Sequence, residues 1–286
     1  MKKYYFLSFL CLVCFFSATA FLRFAYQARK PAYDFDYEWV QHKYIAHALG
    51  GIDGYSYTNS PEAFLANYAK GYRLFEVDLI YTSDGTLVGL HSWKNSNVEK
   101  VLGVKRDDSM DEAGMTLKEF KSCKVYERYS CLDIRDLARL LKDRDIYLII
   151  DGKYEEESEV RQEYDDILSA FSEIAPESLD RIIPQIYSEE MLSWVMDIYP
   201  WKSMIYTWYK LDKKTFSPLK EIAFAKSAGI RAVTMDQERE NDLIDRELTK
   251  NGIYPLVHTV NDEAAAREME EDGAAGFYTE ELLGFR

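Results

Sequence analysis

The stretch Leu74-Phe75-Glu76-Val77-Asp78-Leu79-Ile80, followed by Thr82-Ser83-Asp84-Gly85-Thr86-Leu87-Val88-Gly89-Leu90-His91, decides how this chain is read. The first run has the apolar content of a strand, broken by two carboxylates one residue apart. Side chains alternate along a strand, so Glu76 and Asp78 point to the same side. Carboxylates on a core-facing side are expensive unless a cation or hydrogen bonds compensate them. The second run begins only a few residues later, around Asp84-Gly85, which is too short for a parallel crossover. It is predicted to return as a hairpin arm that brings His91 back beside Glu76.

Working outward, strand-like runs recur at 44–48, 74–80, 146–151, 182–187, 204–209, 232–236, 254–260 and 276–279. Helical patterns fit between most of them, at 61–70, 134–142, 157–173, 189–198, 219–228, 240–250 and 262–271. Ser60-Pro61 reads as an N-cap followed by proline in the first helical turn, and Gly71, Gly229, Gly252 and Gly273 sit just past helix ends. Strands alternating with helices over ~250 residues predict a (β/α)8 barrel of the TIM type. The hairpin arm extends it after the second strand, and residues 93–131 form a longer excursion. The barrel domain is predicted over 44–286.

Ahead of it, Lys2 and Lys3 precede nineteen uncharged residues, Tyr4 to Leu22, and Arg23, Arg29 and Lys30 follow. Residues 1–23 are expected to be a hydrophobic helix serving as signal-anchor, or a signal peptide cleaved near Ala18-Thr19-Ala20. Either places the domain outside the cytoplasm, anchored in the membrane or secreted. Residues 24–43 are read as an aromatic-rich linker. The formal net charge of −14 counts against a nucleic-acid partner, which needs a basic footprint. Cys11 and Cys14 lie in the apolar segment, while Cys123 and Cys131 stand either as a disulfide or as two free thiols.

Barrels of this kind carry their chemistry at the C-terminal ends of the strands. There stand His47 on the first strand, Glu76 and Asp78 on the second, and Asp151 on the third, with Lys153 two positions on. Carboxylates without cysteine partners suit a hard cation, Mg²⁺ or Ca²⁺. The structural alternative is a barrel interior satisfied by hydrogen bonds or by ion pairs to Lys153 or Arg73. Two of only four histidines fall beside these carboxylates. Gln185, Trp208 and Tyr209 stand near later strand ends as candidate pocket residues, with His258 and Tyr278 behind them.

In order and spacing, His47-Ala-Leu-Gly, Asn59-Ser60-Pro61-Glu62, Phe75-Glu76-Val77-Asp78, Thr82-Ser83-Asp84-Gly85 and His91 resemble the glycerophosphodiester phosphodiesterase family. So do Asp151-Gly152-Lys153, Thr259-Val260-Asn261-Asp262 and Gly276-Phe277-Tyr278-Thr279-Glu280 further along. That family belongs to the phosphatidylinositol-phospholipase-C-like phosphodiesterases. The resemblance implies that His47 and His91 are the acid–base pair and that Glu76, Asp78 and Asp151 hold one divalent cation. It also implies that Lys153 supports the phosphate charge and that Asn59 orders the loop near His47. The substrate would be a small or lipid-derived phosphodiester. Five positions depart from the family pattern: Ala48 replaces its arginine, Thr58 a glutamate, Ser92 an aspartate, Asp151 the commoner glutamate and His258 a tryptophan. These departures leave room for a phospholipase acting on intact head groups, or for a non-catalytic binding protein on the same barrel.

Overall fold

The computed structural model describes residues 33–282. The expected N-terminal hydrophobic helix lies outside the described residues; among these, no helix is long and apolar enough to cross a membrane.

Strand β1 (Tyr44–Ala46) is followed by α1 (Pro61–Lys70), β2 (Leu74–Tyr81) and β3 (Leu87–Gly89). The excursion contains α2 (Asn95–Leu102), α3 (Leu117–Ser122) and a small hairpin of β4 (Lys124–Val125) and β5 (Tyr129–Ser130). Regular alternation then resumes with α4 (Ile134–Leu141), β6 (Tyr147–Gly152), α5 (Glu157–Ile174), β7 (Ile182–Ile186) and α6 (Glu189–Ile198). It continues through β8 (Ile205–Thr207), α7 (Pro218–Ala228), β9 (Ala232–Asp236) and α8 (Asp242–Lys250). β10 (Tyr254–His258), α9 (Glu263–Asp272) and β11 (Gly276–Thr279) complete it.

The sheet runs β1-β11-β10-β9-β8-β7-β6-β2, and β1 pairs in parallel with both β11 and β2, which closes it. This is the predicted (β/α)8 barrel. Its helices form for ordinary reasons. In α4 the residues Ile134, Leu137, Ala138 and Leu141 recur at one-face spacing and are all buried. Ser60 caps α1 by accepting the Ala63 amide at 3.2 Å, and proline fills the next position. The predicted start of α8 at 240 moves to Asp242 because the Asn241 side chain caps there.

The hairpin prediction holds. β3 lies antiparallel on β2, with Leu79 opposite Gly89 and Tyr81 opposite Leu87. Its turn depends on Gly85, whose φ of +81° favours a residue without a Cβ. The Leu90 amide donates to the Asp78 carbonyl at 3.2 Å, which fixes where His91 emerges. The excursion builds a second, smaller core in which Val88, Trp93, Val98, Phe120 and Val125 are buried together.

Two expectations are corrected. The first strand stops at Ala46, not at residue 48, because Ala48 and Leu49 adopt left-handed backbone angles (φ +48° and +66°). The second half of the expected linker belongs to the barrel. Trp39 is 1% exposed and donates its indole N–H to Ser203 at 2.7 Å, and the Tyr37 hydroxyl donates to the Met204 carbonyl at 2.8 Å. Both contacts fall just ahead of β8, so this segment seals the N-terminal mouth of the barrel, opposite the strand ends expected to carry the chemistry.

Candidate active site

Strand β2 sets the site's geometry. Asp78 and Asp151 are register partners across β2 and β6, and Glu76 lies one pleat earlier on the same side. Oxygens of these three carboxylates fall within 4.8 Å of one another, and all three residues are buried. Lys153 stands behind them, with Nζ 2.5 Å from Asp78 Oδ1 and 2.6 Å from Asp151 Oδ2. With all three ionised, three carboxylates less one ammonium leave two negative charges, the complement of a divalent cation. Among the described residues, Glu76 Oε1 is buried without a hydrogen-bond partner. An all-oxygen donor set with one buried oxygen unpartnered fits a hard cation of the Mg²⁺ or Ca²⁺ kind.

Electrostatics follow the same geometry. Burial and the neighbouring Asp78 push Glu76 up to about 8. Burial opposes ionisation of Asp78 as well, but the Lys153 ammonium overrules it and holds the carboxyl below the usual range. Lys153 is raised in turn, since Asp151 and Asp78 outweigh its own burial.

His47 directly follows β1 and is buried. Its Nδ1 lies 3.2 Å from Glu280 Oε1, and its Nε2 lies 3.9 Å from Glu76 Oε2. Burial alone would lower this imidazole, but the hydrogen bond to Glu280 and the charges of Glu76 and Asp78 push it up to about 9. His91 lines the same cavity and is more exposed; burial lowers it, against the partial pull of Asp78. Tyr57 packs edge-on against both imidazoles, with ring centroids 4.7 Å from His47 and 5.3 Å from His91.

The cavity measures about 120 Å³. Gln185 lines it and accepts the Tyr278 hydroxyl at 3.0 Å. Tyr209 and His258 form its far wall, edge to face at 4.8 Å, and burial lowers His258 to about 4. Three expected substrate residues stand elsewhere than the pocket wall. Asn59 clamps Asp78, donating to its Oδ2 at 2.9 Å and accepting its amide at 3.0 Å. Lys153 is engaged by the two aspartates. Trp208 is fully buried against Phe216 and Tyr206, away from the cavity that Tyr209 lines. Ala48, at the family arginine position, contributes its main-chain amide to Glu76 Oε2 at 2.7 Å. Sequence reading missed Tyr57 and the link from Glu280 to His47; the one signal for the latter was the position of Glu280 at the end of the last strand.

Three buried carboxylates under two imidazoles, at the C-terminal mouth of a closed parallel barrel, have the donor set of a divalent-cation site and stand where barrel enzymes carry their chemistry. The model of the glycerophosphoryl diester phosphodiesterase family matches residues 51–282, and the chain belongs to that family. It is a phosphodiesterase. His47 and Ala48 lie just upstream of the matched stretch. No curated protein matches the chain. Solved structures share the fold. A Silicibacter pomeroyi protein assigned as a glycerophosphoryl diester phosphodiesterase superposes with a TM-score of 0.68 at 19% identity, covering 88% of this chain and 92% of that one. A glycerophosphodiester phosphodiesterase from Parabacteroides distasonis gives 0.65 at 16%, covering 83% and 92%. An Oleispira antarctica phosphodiesterase, solved with its product sn-glycerol-3-phosphate, gives 0.65 at 14%, also covering 83% and 92%.

Proposed function

We propose that this enzyme hydrolyses a glycerophosphodiester to a glycerol phosphate and an alcohol, with His47 and His91 as its acid–base pair and Mg²⁺ or Ca²⁺ held by Glu76, Asp78 and Asp151. The observation that carries this reading is the convergence of the three carboxylates beneath two imidazoles that share Tyr57. When bound, a hard cation supplies the positive charge that offsets negative charge developing on the phosphate. The chain's own groups handle the protons. One imidazole takes the proton of the substrate's vicinal hydroxyl as it attacks phosphorus, and the other protonates the departing alkoxide. The cyclic phosphate so formed is opened by water with the two roles exchanged. With Nδ1 engaged by Glu280, His47 turns Nε2 toward the carboxylate cluster, and that orientation suits proton transfer there. Lys153 and Asn59 keep Asp78 in place.

Glycerol phosphate as product is supported by the complex of the Oleispira antarctica enzyme with sn-glycerol-3-phosphate. The proposed setting is the outer side of the cytoplasmic membrane, supported by Lys2 and Lys3 ahead of the uncharged stretch from Tyr4 to Leu22. The test uses the full chain, purified in detergent and assayed for glycerol phosphate release from glycerophosphodiesters with Mg²⁺ or Ca²⁺. Chelation by EDTA is expected to abolish turnover, and His47→Ala and His91→Ala each to lower kcat by ~10²–10⁴-fold. Full activity surviving EDTA or either substitution overturns the proposal. Release of diacylglycerol from vesicles, with no turnover of deacylated diesters, would assign the enzyme to the phospholipases instead.

A further inference from the structure

The hairpin of β4 and β5 is short, and two-stranded ribbons are marginal by themselves. Its register pairs Lys124 with Ser130 and Val125 with Tyr129. One step further along the same ladder, Cys123 falls opposite Cys131. Cys123 is extended (φ −77°, ψ 168°), and the Cys131 thiol donates to the Cys123 carbonyl at 3.6 Å. Opposed positions of an antiparallel pair hold their Cα atoms ~4.5–5.5 Å apart. That range lies inside the ~4.4–6.8 Å window of a disulfide. The strand period of two places both cysteines on the buried face with Val125 and Tyr129, so their side chains leave the ribbon on one side. Both are thiols in the structure; Cys131 is buried and Cys123 is partly exposed.

What the hairpin supports gives this pair its interest. The Tyr126 hydroxyl donates to the Ser56 carbonyl at 3.0 Å, and its ring stacks on Tyr55 with centroids 4.5 Å apart. The Tyr129 hydroxyl donates to Asp53 at 2.8 Å, and the Ser130 amide to Glu62 at the start of α1. Residues 51–57 therefore rest on the hairpin, and they end in Tyr57, the ring between His47 and His91.

We propose that Cys123 and Cys131 form a disulfide that staples this hairpin and thereby braces the loop carrying Tyr57. The oxidant is a low-molecular-weight disulfide such as oxidised glutathione. The thiolate of the more accessible Cys123 attacks one of its sulfurs, forming a mixed disulfide and expelling one thiolate. The Cys131 thiolate then displaces the second. The protein loses two electrons and two protons, and the small disulfide becomes two thiols.

The full chain, equilibrated with oxidised or reduced glutathione, tests this by peptide mapping. Trypsin cleaves after Lys121, Lys124, Arg128 and Arg135, so the two cysteines fall on separate peptides, 122–124 and 129–135. Under oxidising conditions these peptides are expected to run joined and to separate on addition of dithiothreitol. The oxidised protein should show several-fold slower amide exchange over 51–57 and melt several degrees higher than the reduced protein. Cys131→Ser should behave as the reduced protein in either buffer; Cys123→Ser, at the more exposed position, serves the same comparison if the first variant folds poorly. Complete alkylation of both thiols after oxidation overturns the disulfide. A disulfide that leaves exchange over 51–57 unchanged overturns the brace.

Discussion

Asn59 shows how much of the site hangs on single side chains. It stands 19 residues from Asp78 in sequence, yet its amide satisfies one of that residue's carboxylate oxygens and its carbonyl accepts that residue's amide. Removing it leaves a buried carboxylate oxygen and a buried amide short of partners, at about 1–3 kcal/mol for such a group. Asn59→Ala is therefore expected to lower the melting temperature and to weaken divalent-cation affinity by ~10–100-fold, as loss of a ligand's supporting partner does. Titration of the cation by calorimetry reads the second effect; unchanged affinity in a folded variant would remove Asn59 from the site. Ala48 makes a related point. A family arginine at this position would bring a guanidinium, whereas alanine leaves only a main-chain amide on Glu76. On the proposed function, ion pairing to the phosphate would have one fewer donor near His47, and substrate preference is where this change should be felt.

At the scale of single elements, the β6 end and α5 are packed with no slack. A Cβ at Gly152 would lie 2.3 Å from Glu163 Oε2. A side chain between Asp151 and Lys153 would therefore have to displace the buried Glu163 carboxylate. Helix α8 carries a different strain. Asp245 is fully buried against the end of α9, both its oxygens lack partners among the described residues, and burial together with Glu240 and Asp272 raises it from an ordinary 3.8 to about 7. The native state therefore keeps a proton that the unfolded chain has lost. Stability from this group is complete below the unfolded value and is lost as pH rises from ~3.8 to ~7. Asp245→Asn should abolish that decline, so the variant melts several degrees above the parent at pH 8 and gains little at about pH 4. Parallel melting curves for the two proteins across that range would refute the assignment.

For the whole molecule, the decisive quantity is the charge gathered at one end of the barrel. Ionising Glu76, which burial and Asp78 hold up at about 8, leaves two uncompensated negative charges among Glu76, Asp78, Asp151 and Lys153 until a cation joins them. A ligand bound only by the native state at ~100 times its Kd adds ~2.7 kcal/mol. For a chain of this size that corresponds to a rise in Tm of roughly 5–10 °C. Mg²⁺ or Ca²⁺ is expected to raise the melting temperature by this amount, EDTA to reverse it, and Asp78→Asn to remove the response. A melting temperature indifferent to divalent ions would mean that the triad is a structural feature of the barrel and not a cation site.

The alternation of strands and helices, the shared side of Glu76 and Asp78 and the hairpin return to His91 were legible because they depend on local periodicity and on loop length. Family resemblance added the proposed roles of the five central residues. Residues whose work depends on a distant partner were not legible. Glu280 meets His47 across 233 positions only because β11 and β1 close the barrel side by side. Tyr57 lies between the histidines because its loop folds with positive φ onto a hairpin built from the excursion. Trp208 was misplaced because its strand ends at Thr207, and only the finished sheet shows that it lies away from the cavity. Sequence by itself determined the barrel and the acidic pair, since hydrophobic spacing and strand period are properties of neighbours in the chain. Which side chains support them was decided by tertiary structure alone, because closure and register, not proximity in sequence, set the distances over which hydrogen bonds and charges act.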